Sequence, residues 1–111
     1  MSDQEEIPDG SNFYASLTTT LSKVRVADLY GRRGWSVREC AWDEFEVCCS
    51  WADLVIDGES PILLHGPVAR VEENAARILG VLREFGVAYS AECYGEDCQL
   101  LRKYEWSGSG D

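Results

Sequence analysis

The chain has 111 residues, of which 20 are acidic and 10 are basic, for a formal net charge of -10 at pH 7. Such a charge repels the phosphate backbone, whose attraction supplies most of the non-specific affinity for nucleic acid, so DNA and RNA are disfavoured as partners. No apolar run approaches the roughly 20 residues that span a bilayer, and the acidic N-terminus does not resemble a signal peptide. We therefore expect a cytoplasmic protein that does not enter membranes.

Composition predicts one folded domain. A chain of this length buries about two thirds of its unfolded surface, which is enough for a single core, and four Trp, five Tyr and three Phe are available to build it. The five cysteines are an odd number, which fits reduced thiols better than a secreted disulfide framework. We predict a disordered leader at 1–11, a domain at 12–106 and a flexible tail at 107–111, from the acidic, Pro- and Gly-containing start and the Ser/Gly-rich end.

The segment 12–30 fits two patterns. Its Thr-rich centre, and the valines that alternate with basic residues after it, favour a strand. Four apolar residues of the same segment fall at helical spacing: Phe13, Leu17, Leu21 and Val24. We divide the segment into a short N-terminal helix at 12–21 and a strand at 23–30, followed by a glycine-rich turn at 31–34.

Apolar and polar residues alternate from Trp35 to His65, which predicts two hairpins. The first turns near 42–44, and the second at Asp57-Gly58, a common pair in two-residue hairpin turns. Pro61 lacks an N–H, so it should begin its strand or lie on a sheet edge. The predicted strands are 35–41, 45–51, 52–56 and 61–65.

One principal helix is predicted from about Pro67 to Phe85. Proline suits the first helical position, and Gly86 can end the helix in the left-handed conformation. Glu73 and Arg77 are spaced to form an ion pair on its outer face. The apolar residues step by three and four along one stripe: Val68, Val71, Ala75, Ile78, Leu82 and Phe85.

The last two predicted strands, 87–94 and 98–106, would be joined by a two-residue turn at Gly95-Glu96 that places Cys93 opposite Cys98. The predicted fold class is therefore α+β. It consists of an antiparallel sheet of about five to seven strands, with the principal helix packed on one face and a short N-terminal helix.

No catalytic motif is recognisable in the sequence. It contains no nucleotide-binding loop, no H-E-x-x-H pair and no G-x-S-x-G elbow, so an enzyme is disfavoured and no cofactor is predicted. The alternative function is a thiol-redox or metal site made of Cys93, Cys98 and His65, although their spacing is loose for zinc and we expect no metal. His65, the single histidine, is more simply interpreted as a structural residue that caps its loop.

Charge is concentrated in two consecutive bands. Residues 23–38 carry five bases and one acid, and residues 39–59 carry seven acids and no base. These bands either neutralise each other across neighbouring strands or leave an acidic docking surface, and alternation places Trp42 among the acids on the face opposite Trp35.

We hypothesise a small, non-enzymatic interaction module, such as an inhibitor or immunity-type protein, that binds a basic protein. It would be a monomer or a sheet-edge homodimer. The candidate partner-binding residues are Trp42, Asp43, Glu44, Glu46 and Asp53.

Overall fold

An antiparallel sheet of seven strands, with two helices on one face, forms the part of the chain that the computed structural model describes, residues 6–107. The predicted α+β class is thus confirmed, with a second helix beside the principal one. The strands are β1 (Phe13–Thr18), β2 (Ser36–Ala41), β3 (Glu44–Cys49), β4 (Ala52–Gly58), β5 (Ile62–Gly66), β6 (Ala88–Tyr94) and β7 (Leu100–Trp106), and the helices are α1 (Lys23–Gly31) and α2 (Val71–Glu84).

The strand order is β2-β3-β4-β5-β1-β6-β7, which places the first strand near the centre. β1 lies antiparallel between β5 and β6, and α2 connects those two outer strands, so the three strands and the helix form a split β-α-β unit. The β2–β3 hairpin extends the sheet on one side, and β7 extends it on the other. The edge strands of the sheet are therefore β2 and β7.

The core lies between the sheet and the two helices. Alternate residues of the central strands are buried against the helices, while their neighbours point to the other, open face, as is common in antiparallel sheets. Tyr30 of α1 is fully buried, and its hydroxyl donates a hydrogen bond of 2.8 Å to the carbonyl oxygen of Ile78 in α2. The largest other buried side chains include Phe13, Leu17, Leu54, Ile56, Leu64 and Leu82.

The predictions for 12–21 and 23–30 are wrong, because the strand comes first and the helix second. Phe13, Ala15 and Leu17 alternate into the core, and this period of two outweighs the wider helical spacing. α1 begins after Ser22, whose hydroxyl oxygen accepts a hydrogen bond of 3.4 Å from the backbone N–H of Arg25. A serine N-cap of this kind satisfies a donor at the start of a helix.

The principal helix is confirmed in its body but begins four residues later than predicted. Val68 forms a bridge to Ala52 instead of a helical turn, and Arg70 adopts φ 48 before α2 begins. The segment that starts with Pro67 is therefore held by the sheet. Contact with β4 outweighs the preference of proline for the first turn of a helix.

The end of α2 agrees with the prediction. Gly86 adopts φ 76, and its N–H donates to the Arg83 carbonyl at 3.1 Å. The N–H of Val87 donates to the Leu82 carbonyl at 2.8 Å, which completes a Schellman motif. This glycine cap is determined by local backbone geometry.

The predicted pair of Glu73 and Arg77 is replaced by other contacts. Glu73 forms its ion pair with Arg70, at 3.6 Å. The guanidinium of Arg77 lies over the ring of Trp51, 5.5 Å from its centroid. Arg77 therefore forms a cation–π contact between α2 and the turn that connects β3 to β4.

Two predicted turns are wrong in length. Gly58 pairs with Ile62, so residues 59–61 connect β4 to β5 in place of the two-residue turn, and Pro61 directly precedes its strand. Tyr94 pairs with Leu100, so a longer loop, 95–99, connects β6 to β7. Both hairpins were identified from the sequence, but their registers were not.

The predicted leader at 1–11 lies partly outside the described residues, and the predicted tail at 107–111 lies mostly outside them. Residues 6–11 and 107 carry no helix or strand. Residues 1–5 and 108–111 are not described.

Substitution of Gly66, at the end of β5, tests how closely that strand approaches β4. A Cβ atom at Gly66 would lie 2.1 Å from the backbone oxygen of Asp53, whereas one at Gly80 in α2 would meet nothing within 4 Å. We expect Gly66→Ala to lower the free energy of unfolding by roughly 1–3 kcal/mol, because backbone must move. Gly80→Ala should raise it by roughly 0.5–1 kcal/mol. Urea denaturation followed by tryptophan fluorescence measures both, and equal effects of the two substitutions would contradict the close approach.

Candidate functional site

The turn of the β2–β3 hairpin exposes a large aromatic side chain. Trp42 is 89% exposed, and the next residue, Asp43, adopts φ 57. Ala41 pairs with Glu44 across the turn, which makes Trp42 and Asp43 its two loop residues. The tryptophan therefore lies at the tip of the hairpin, not on the sheet face where alternation placed it.

A buried lysine holds this turn against the body of the protein. Lys23 is only 8% exposed, and its Nζ lies 3.0 Å from Asp43 Oδ2. The same Nζ donates a hydrogen bond of 2.5 Å to the carbonyl oxygen of Gly58 and lies 3.9 Å from Glu59 Oε2. The first residue of α1 thus joins the β2–β3 turn to the β4–β5 turn, and one pair between the basic and acidic bands is neutralised here.

A second group of charges lies on the open face of the sheet. Arg38 of β2 is opposite Glu46 of β3, and their side chains form an ion pair. Glu46 also hydrogen-bonds to Asp53 of β4, so the two carboxyl groups are adjacent. Both bands contribute to this group, as the mutual neutralisation of the bands would require.

The two adjacent carboxyl groups have opposite pKa shifts. Burial, together with the hydrogen bond and the charge of Glu46, raises the pKa of Asp53 to about 6. Hydrogen bonds from Asp53 and Arg38 lower the pKa of Glu46. Asp53 Oδ1 is buried and has no hydrogen-bond partner among the described residues. Glu46 is therefore the ionised member of the pair, and Asp53 binds the proton near pH 6.

The structure divides the five candidate partner-binding residues into two groups. Trp42, Asp43 and Glu44 lie together at the hairpin turn, whereas Glu46 and Asp53 belong to the open face. Sequence reasoning missed Glu39, whose carboxylate accepts a hydrogen bond of 3.4 Å from the Asp43 N–H, and it missed the approach of Glu59 to the same turn. Only the strand pairing and the position of Lys23 reveal these two residues.

His65 is part of the open face as well. Its Nε2 lies 3.1 and 3.2 Å from the two carboxylate oxygens of Asp57, and the ring of Tyr14 stacks on the imidazole with 6.3 Å between centroids. Tyr14 and His65 border a shallow depression of about 190 Å³. Within residues 6–107 no hydroxyl or thiol hydrogen-bonds to this imidazole, so the pair lacks the nucleophile of a triad.

The alternative site made of Cys93, Cys98 and His65 is not assembled. Cys93 is fully buried on the helix side of β6 and pairs with Arg102, whereas Cys98 is exposed in the loop 95–99 with φ 64. The predicted opposition of the two cysteines is wrong because the connecting loop is longer than two residues. Among the described residues, no three His, Cys, Asp or Glu side chains converge as metal ligands.

Comparisons with protein-family models, with curated proteins and with solved structures found no match to this chain. Within the described part of the chain, both helices are too short and too polar to cross a membrane. The geometry of the site is therefore the basis for assigning a function.

The contacts of the Lys23 ammonium group predict a contribution to stability. We expect Lys23→Met to lower the free energy of unfolding by roughly 1–3 kcal/mol, because the Gly58 carbonyl and the Asp43 carboxylate lose their partner. Arg25→Met is the matched control, since Arg25 is an exposed cation on the same helix and such surface changes stay within about 0.5 kcal/mol. Urea denaturation compares the two variants, and similar losses would show that Lys23 does not tie the turns together.

The raised pKa of Asp53 predicts a dependence of stability on pH. Because the folded state favours the protonated form of Asp53, this carboxyl group stabilises the fold at low pH. Its contribution to the free energy of unfolding is complete below the unfolded pKa of about 3.9 and is lost as pH rises through the folded pKa. Asp53→Asn should therefore be more stable than the natural protein by up to about 1 kcal/mol near neutral pH, since solvent screening reduces the effect. The difference should shrink at about pH 4.5.

Denaturation of both proteins at the two pH values measures this difference, with Glu96→Gln in the loop 95–99 as a control that also removes one charge. If the free energies of unfolding of the natural protein and of Asp53→Asn depend on pH in the same way, the pKa of Asp53 is not raised in the folded state.

Proposed function

We propose that the protein is a non-enzymatic interaction module that binds a basic protein through the end of its β2–β3 hairpin. We use "hairpin end" for Trp42 and the four acidic residues around its turn: Glu39, Asp43, Glu44 and Glu59. An inhibitor or immunity-type protein, which neutralises a basic target by covering it, fits this description.

The observation that carries the proposal is the exposure of Trp42. An indole that is 89% exposed contributes nothing to the core, whereas the other three tryptophans of the chain pack against it. Tryptophan is among the residues most enriched in the centres of protein–protein interfaces, where burial of its large surface supplies much of the binding energy. Trp42 is therefore the best candidate for an anchor that a partner would bury.

The charge around Trp42 supports a basic partner. Four carboxylates surround the turn, and the ammonium group that lies near them within residues 6–107, that of Lys23, is buried and already bonded. A negative rim of this kind accelerates the encounter with a positive surface and disfavours acidic partners. The same rim disfavours nucleic acid.

The hairpin end is also held in place before any partner arrives. Lys23 ties the turn to α1 and to the β4–β5 turn, and the Glu39 carboxylate bonds to the backbone of the turn. A partner would therefore immobilise little more than the Trp42 side chain. Such preorganisation increases affinity, because less conformational entropy is lost on binding.

The test begins with affinity capture from the host with the tagged natural protein, followed by identification and purification of the captured protein. We expect Trp42→Ala to weaken binding to that protein by tenfold or more, about 1.4 kcal/mol, as for a central interface residue. The combined substitutions Glu44→Lys and Glu59→Lys should slow association and reduce its sensitivity to salt, because they remove the negative rim. Titration calorimetry and stopped-flow kinetics measure the two effects.

The matched control reverses two charges in the loop 95–99, Glu96→Lys and Asp97→Lys. This variant changes the net charge by the same amount as the double variant of the hairpin end, so it separates a local effect from a general one. The proposal fails if Trp42→Ala binds as tightly as the natural protein, or if both pairs of reversals slow association equally.

A further inference from the structure

The outer edge of β7 is unpaired and suited to a second strand. β7 is the last strand of the sheet, so one side of its backbone has no neighbouring strand within the described chain. A register shift between Cys93 and Tyr94 of β6 interrupts the pairing of β7 near Leu100, and β7 is regular from Arg102 to Trp106. An edge of this kind is a template for pairing with another strand, provided that charges, bulges or a covering segment do not block it.

The side chains of this regular section alternate between the two faces of the sheet. Lys103 and Glu105 lie opposite Glu92 and Ser90 on the open face, while Arg102, Tyr104 and Trp106 lie opposite residues that face the helices. Lys103 and Glu105 are both exposed, and the Lys103 side chain is 59% exposed. The two opposite charges are therefore two residues apart on one open surface.

In an antiparallel pair of strands, residues directly opposite each other have their side chains on the same face of the sheet. Two copies of β7 therefore keep their open faces on the same side only in registers where the two-fold axis passes through a residue and not between two residues. An axis at Tyr104 places Lys103 opposite Glu105 of the second copy, and Glu105 opposite its Lys103. It also places each Arg102 opposite Trp106, a favourable cation–π combination. Lys103 and Glu105 then each lie opposite a residue of the other charge, and Arg102 lies opposite an aromatic ring.

The neighbouring registers lack this complementarity. An axis at Lys103 would oppose two lysines, one at Glu105 two glutamates and one at Arg102 two arginines. On the other sheet edge, β2, axes at Arg38 and at Glu39 bring like charges together, and a bulge follows Glu39. Of the registers compared, the axis at Tyr104 of β7 is the one that pairs opposite charges.

We propose that two copies of this chain associate through β7, with a two-fold axis at Tyr104, to form one continuous sheet. Backbone hydrogen bonds between the two edges supply the attraction, and the two pairs of Lys103 and Glu105 determine the register. Because β2 is the opposite edge of each sheet, the hairpin ends lie at the far ends of the dimer. This association is independent of the function proposed above.

Charge reversal tests the register directly. Lys103→Glu and Glu105→Lys each place like charges opposite one another, so each should weaken dimerisation about tenfold. The double variant, which exchanges the two residues, should dimerise like the natural protein. A mixture of the two single variants should form a heterodimer, since each copy then offers the charges that the other lacks.

Sedimentation equilibrium in the presence of reductant measures these states, and circular dichroism confirms that each variant is folded. Arg38→Glu on β2 is the control and should leave dimerisation unchanged. The proposal is overturned if the natural protein is a monomer, if the single variants dimerise like the natural protein, or if neither the double variant nor the mixture restores the dimer. A dimer that disappears on reduction also overturns it, because exposed cysteines would then have linked the copies.

Discussion

The burial of one face of the sheet beneath α1 and α2 is the constraint on which the other features of this protein depend. Because side chains alternate along a strand, covering one face assigns every second residue to the core and leaves the rest to solvent. The core contains Phe13, Leu54 and Ile78 on three different elements. The open face, both sheet edges and the hairpin end are therefore the surfaces that remain for other molecules.

The negative charge of the chain is distributed less simply than its total suggests. Lys23 and Arg38 neutralise part of the acidic band through their ion pairs with Asp43 and Glu46. What remains around Trp42 is a local rim of carboxylates on a turn that is already held in place. The two charge bands therefore neutralise each other in part, and the carboxylates that remain around Trp42 are where we propose the docking surface.

The open face of the sheet also carries the single histidine of the chain. The imidazole of His65 is oriented by Asp57, which is one part of an acid–base arrangement, yet it has neither a bonded nucleophile nor a deep cleft within the described residues. A split β-α-β unit supports many functions, so the fold itself does not decide among them. The features that distinguish this chain are an exposed tryptophan and an edge strand with alternating charge.

The sequence by itself determined much of the fold, because alternation, helical spacing and the glycine cap depend on interactions between residues close in the chain. Period-two alternation located β2 to β5, and a stripe with helical spacing followed by Gly86 located the body and the end of α2. Each of these signals depends only on residues that are close in the chain. For the site, sequence position indicated Trp42 and its adjacent acids.

Only the tertiary structure decided the rest. Residues 12–30 fit two local patterns, and the choice between them depended on which side chains the central strand and the helix could bury together. The meeting of Lys23 with two turns and the separation of Cys93 from Cys98 depend on strand register, which the lengths of the connecting loops determine. Interactions between residues distant in sequence have no signature in a local pattern, because they exist only once the strands have paired.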